Sequence, residues 1–170
     1  MNEAGRIETR SLAWTWLAGA WAFNLPWEIA QRPLYSGYQG FGPHLKGCFV
    51  ASLGDVAIFA GLFGFMAAAT GSRRWFEGSR ARFLTLAAAG ITLAAAIEYR
   101  ALYLGKWSYS ENMPLVPVLE LGLSPVLQMV VGPVALALLS RQRAARNRGN
   151  AGHGKRGTMT MDGIGHGCMR

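Results

Sequence analysis

Four stretches of this chain, 11–30, 47–70, 82–104 and 117–139, carry few or no charges over a length that crosses ~30 Å of hydrocarbon as a helix. Backbone amides in lipid must find their partners within the chain, so uninterrupted apolar blocks of this length predict helices. The ten-residue alternation of a membrane β-barrel is absent from the sequence. Charged residues are only 15% of the chain, against about 25% in a typical soluble domain, which agrees with a membrane solvent. The expected fold class is therefore all-α: a polytopic membrane protein with a four-helix transmembrane bundle over 1–140. A basic, Gly/Met/His-containing tail follows over 141–170 and is expected to be disordered, having little to bury.

The first block is long for a signal peptide and lacks a small-residue cleavage pattern. Its tryptophans, Trp14, Trp16, Trp21 and Trp27, suit a retained anchor. The third block is alanine-rich, a composition that permits close helix packing in lipid. Cys48 falls at the start of the second block and Cys168 in the tail, so no disulfide framework is expected.

A net charge of +8 would suggest nucleic acid in a soluble protein. Here its distribution points instead to topology. Arg6 and Arg10, then Arg73, Arg74, Arg80 and Arg82, then the seven basic residues from Arg141 onward lie on one side of a four-span chain. Only Arg32, Lys46, Arg100 and Lys106 lie on the other. By the positive-inside rule both termini are cytoplasmic, in a multi-pass protein of the bacterial inner (plasma) membrane. The expected partners are the lipid bilayer and partner membrane subunits or a second copy, with no nucleic acid.

Carboxylates in or beside membrane spans are costly and mark sites by default. Glu28, Asp55, Glu98, Glu111 and Glu120 all map to the extracytoplasmic half. Cys48, Ser52 and Asp55 share one helical face, as do Glu120, Ser124 and Gln128, and Asn24, Glu28 and Gln31 share a third. Asp55, Glu120 and Glu28 are the candidates for acid/base chemistry. Asn24, Trp27, Gln31, Glu98, Trp107, Tyr109 and Gln128 are the candidates for binding a substrate. Arg32 or Arg100 is placed to pair with a carboxylate. The bland alternative is that these groups only staple helices together, at ~0.6–2 kcal/mol per bond.

The loop from 105 to 117 and the loop from 33 to 45 are rich in aromatics, with Pro114 and Pro117 in the first and three glycines in the second. Trp107 and Tyr109 suit an interfacial aromatic belt; the alternative is a semi-rigid lid made of the two loops. In the tail, Met159, Met161, His166, Cys168 and Met169 are soft-metal ligand types. They form no recognised metal-binding spacing, and a solvated tail is the simpler expectation.

The stretches NLPWEIAQRPLY (24–35), HLKGCFVASLGD (44–55) and WSYSENMPLVPVLELGLSPVLQ (107–128) resemble a family of small bacterial four-helix membrane proteins of uncharacterised function. The resemblance covers the membrane core and implies fold and membrane location, but no activity. Two functions remain in view. One is a small binding, transport-accessory or complex-component bundle with a carboxylate-lined extracytoplasmic site. The other is an intramembrane enzyme acting on a lipid or isoprenoid by carboxylate acid/base chemistry.

Overall fold

The computed structural model describes residues 3–158, with side chains described over 12–149. Four helices account for most of it: α1 (Glu3–Gln31), α2 (Phe41–Thr70), α3 (Arg80–Tyr103) and α4 (Leu123–Thr158). Among the described residues, three helices are long and apolar enough to cross a membrane, at Phe41–Thr70, Arg80–Tyr103 and Leu123–Gly149. α1 has the length but falls short in apolarity, since its last two turns hold Asn24, Glu28 and Gln31. α1 packs on α2 and on α4, and α3 packs on α4, whereas α2 and α3 touch little.

Local chemistry explains the helix ends. α1 continues through Pro26 and stops where Pro33 imposes a 3-10 turn, Arg32–Leu34. α2 begins at Phe41, earlier than the apolar block suggested, which brings His44 into the helix. It ends at Gly71, whose φ of 65° lets its N–H and that of Ser72 turn back onto the carbonyls of Ala68 and Ala67.

The fourth helix differs from expectation at both ends. It starts at Leu123, not near 117, because 115–122 form a short hairpin, β1 (Leu115–Val116) against β2 (Leu121–Gly122). Val118 and Glu120 in its turn adopt φ of 72° and 53°, a backbone that no helix tolerates. The disordered tail expected from 141 is instead helical as far as Thr158. Ala144 is buried there, and Arg148 pairs with Glu77 at 2.8 Å, so this segment has packing of its own. Met159, Met161, His166, Cys168 and Met169 lie outside the described residues.

The core has two layers. At the end that includes the α2–α3 loop, Trp16, Phe63, Trp75, Phe76 and Phe83 form an aromatic cluster, with Trp16 and Phe63 centroids 4.8 Å apart. Trp75 and Phe76 belong to the loop itself and are buried, so the loop plugs the bundle. Close helix approach relies on small residues: a Cβ on Gly90 would sit 2.2 Å from the Met129 carbonyl oxygen. Toward the other end the core turns polar.

Candidate functional site

The polar layer is built by one face from each of three helices. α1 supplies Asn24, Glu28 and Gln31, spaced to share a side, α2 supplies Asp55, and α4 supplies Ser124 and Gln128. Gln128 is the hub. Its Nε2 lies 2.9 Å from Asn24 Oδ1, 3.2 Å from Glu28 Oε1 and 2.9 Å from Asp55 Oδ2, while its Oε1 accepts from Gln31 Nε2 at 3.1 Å. Gln31 Nε2 also donates to Glu28, and its Oε1 accepts from Ser124 Oγ at 2.8 Å. Asn24, Gln31 and Gln128 are buried.

A primary amide has two hydrogens, and Gln128 Nε2 faces three acceptors. Glu28 Oε1 and Asp55 Oδ2 are brought together on that one amide nitrogen, so the two carboxyls compete for its hydrogens. Among the described residues the buried Asn24 Nδ2 has no hydrogen-bond partner. The knot thus contains both an overcommitted donor and an unused one.

The third carboxyl comes from α3. Glu98 is only 3% exposed, and its Oε2 accepts from Tyr109 Oη and, at 3.3 Å, from Trp107 Nε1. Both donors belong to the 105–117 loop. That loop pairs with the chain after α1: Tyr35 and Tyr109 form an antiparallel bridge, with Ser36 N–H to Ser108 O at 2.9 Å and Ser110 N–H to Leu34 O at 2.9 Å. The two loops therefore make one roof. Burial raises the Tyr35 and Tyr109 phenols well above their ordinary range. The Glu98 carboxyl adds to this at both, by its charge at Tyr35 and chiefly by its hydrogen bond at Tyr109, so both remain protonated donors.

Under the roof lies a cavity of about 490 Å³ between α2 and α3, and Glu28, Asp55, Glu98, Gln31 and Gln128 all line it. Its size suits a small molecule. Cys48, a free thiol, Arg32, Tyr35, His44, Lys106 and Trp107 complete its polar and aromatic wall. Among the described residues no group of three or more His, Cys, Asp or Glu is arranged to hold a metal ion.

The sequence candidates thus divide. Asp55, Glu28, Glu98, Gln31, Gln128 and Trp107 meet at the cavity, and Asn24 and Tyr109 support it by hydrogen bonds to Gln128 and Glu98. Glu120 does not: it is exposed on the hairpin turn, because the helix that would have carried it inward begins three residues later. Trp27 is turned aside as well, stacked on Phe23 with centroids 5.3 Å apart. Arg100 is exposed and forms no ion pair among the described residues. Ser52 is spent locally on the Cys48 carbonyl at 2.8 Å. Tyr35 belongs to the loop that sequence reasoning offered as half of a lid, whereas Lys106 was missed as a wall residue. The one signal for Lys106 was its place beside a span end.

Comparison of the chain with protein-family models, with curated proteins and with solved structures found no match.

Proposed function

We propose that the chain is a four-span protein of the bacterial inner membrane with both termini cytoplasmic, and that its roofed cavity is the binding site for a small molecule. The fourth span would be α1, which packs along α2 and α4 and is less apolar because it carries site residues. The orientation rests on the skew of basic residues toward the end that holds the α2–α3 loop.

One observation carries the binding reading: carboxyls from three helices and the Gln128 amide face one cavity of about 490 Å³. Polar residues that merely staple helices need no such space beside them. The three stretches that resemble the uncharacterised membrane family also supply this wall, with Glu28, Tyr35, His44, Asp55, Trp107 and Gln128 among them. On this reading the chain is a member of that family and the cavity is its shared site.

A second reading, an enzyme acting on a lipid or isoprenoid, is favoured by the meeting of Glu28 and Asp55 on the Gln128 amide. Two carboxyls gathered on one donor, beside a cavity with apolar residues in its wall, are the groups that an acid/base step on such a substrate uses.

The test is Asp55→Asn and Glu28→Gln in the intact chain, with profiling of the host membrane lipids and of small molecules that co-purify. Loss of a co-purifying molecule from both variants is expected. If the same variants also accumulate an altered lipid, the enzyme reading gains. An unchanged small-molecule complement, together with loss of a co-purifying protein, would sink the binding reading and leave a complex component.

A further inference from the structure

The two ends of the cavity differ in charge. Arg32 follows the last residue of α1 and Lys106 lies beyond the end of α3, whereas Glu28 and Glu98 lie within those helices. On α2, His44 stands near the loops and Asp55 lies about 16 Å farther along the axis, at 1.5 Å per residue. The basic groups of the wall thus gather at its loop end, while Asp55 lies deepest on α2 and Glu98 is held directly beneath the roof.

The basic groups are not consumed by the acids. Arg32 is half-buried and Lys106 exposed, and neither forms an ion pair among the described residues. The acids take their hydrogen bonds from Gln128, Gln31, Tyr109 and Trp107 instead. His44 Nε2 accepts from the Gln39 N–H at 3.1 Å, which leaves Nδ1 to carry the ring proton and act as a donor. A guanidinium, an ammonium and an imidazole N–H thus line the loop end of the wall, and the first two are charge-assisted donors of the kind that an anion takes.

The cavity is also uncovered along one flank. Its α2 wall is Gly47, Ala51 and Gly54, three small residues on one side of the helix, all exposed. A Cβ on Gly47 or Gly54 would meet nothing within 4 Å. Since α2 and α3 touch little, this wall faces the open seam between them, where Ile58, Ala94 and Ile97 supply apolar surface. In a bilayer that seam is bathed by lipid tails.

We infer that the cavity takes a single-chain amphiphile with an anionic headgroup, the head on Arg32, Lys106 and His44 and the chain in the α2–α3 seam. The inference rests on the proposal that the cavity is a ligand site within a membrane. It places head and chain as a bilayer already orients them, so the ligand reaches the site sideways without crossing the roof. Glu28, Asp55 and Glu98 then lie alongside the upper part of the chain, where they would meet a hydroxyl or amine. A long-chain phosphate and a fatty carboxylate share this head chemistry.

The experiment uses the full chain in phosphatidylcholine nanodiscs, titrated with hexadecyl phosphate, palmitate, hexadecanol and inorganic phosphate. The anionic amphiphiles are expected to saturate one site and to bind at least about tenfold more tightly than hexadecanol. Arg32→Gln with Lys106→Gln should erase that margin. Gly54→Leu, which fills the seam, should weaken every amphiphile about tenfold. Whichever of phosphate and carboxylate binds more tightly identifies the headgroup. Equal binding of hexadecanol and hexadecyl phosphate to the unaltered protein would overturn the headgroup assignment and leave the cavity standing. Inorganic phosphate binding as well as hexadecyl phosphate would overturn the chain assignment. Saturable binding of none of the probes, with Gly54→Leu silent, would remove the inference. If Asp55→Asn also leaves the co-purifying molecules unchanged, the binding reading falls with it.

Discussion

The two ends of this bundle are filled in opposite ways. At the α2–α3 loop end, Trp16, Phe63, Trp75 and Phe83 pack ring on ring, with Trp75 wholly buried among them. At the other end, where aromatic bulk is also plentiful, the rings of Tyr35, Trp107 and Tyr109 roof a space lined by carboxyls and amides. The difference teaches where stability and function are separated. Dense apolar packing gains dispersion and burial from every atom in contact, whereas a half-satisfied polar network contributes little net energy and leaves groups for a ligand. The first end holds the helices together by packing; the second joins α1, α2 and α4 through the Gln128 amide and leaves space beside it.

That contrast breaks if the polar end proves to be the more stabilising one, so the largest effect is expected at the aromatic end. Trp75→Ala should cost about 3–5 kcal/mol, since it removes a wholly buried indole, measured by denaturant titration in detergent. Gly90→Ala should cost about 1–3 kcal/mol, because the added methyl meets a backbone oxygen that cannot yield cheaply. Gln128→Leu, at the hub of the polar end, should cost no more than about 1–3 kcal/mol while abolishing ligand retention. A stability loss for Gln128→Leu that exceeds Trp75→Ala would reverse the comparison.

Smaller effects sharpen it. Tyr109→Phe removes one bond from roof to Glu98 and should cost about 0.6–2 kcal/mol, with faster amide exchange confined to the roof loops. The sign of its pH dependence follows from the raised phenols. The unfolded chain releases these protons near pH 10, the folded chain only above that, so stability should fall as pH climbs past about 10. Tyr35→Phe with Tyr109→Phe should flatten that decline. Glu120→Gln should change stability by less than about 0.5 kcal/mol and leave the ligand untouched, since this carboxyl is exposed on a turn.

Much of the helical frame was legible because charge-free length is a direct physical requirement. The convergence of Glu28, Asp55 and Gln128 was legible for a related reason: each is a costly polar group on an apolar face, and cost implies a common refuge. Glu120 was misplaced because 117–122 is apolar enough to pass for the start of a helix. Only the left-handed backbone at Val118 and Glu120 shows that the chain turns first. The basic rim was legible only in part. Periodicity says which residues share a helix face, but Lys106 reaches the cavity from beyond a helix end, and no repeat encodes that. The pairing of the two loops through Tyr35 and Tyr109 was likewise beyond local pattern, since 74 positions separate the partners.

The uneven contacts among the helices have a mechanical consequence. α1 and α4 form a spine, with α2 packed on α1 and α3 on α4, so Asp55 and Glu98 face the cavity from two helices that touch little. The Gln128 amide anchors Asp55 to the spine at 2.9 Å, whereas Glu98 is anchored to the roof by Trp107 and Tyr109. The spacing of these two carboxyls is therefore set through two separate attachments and not by contact between the helices that carry them.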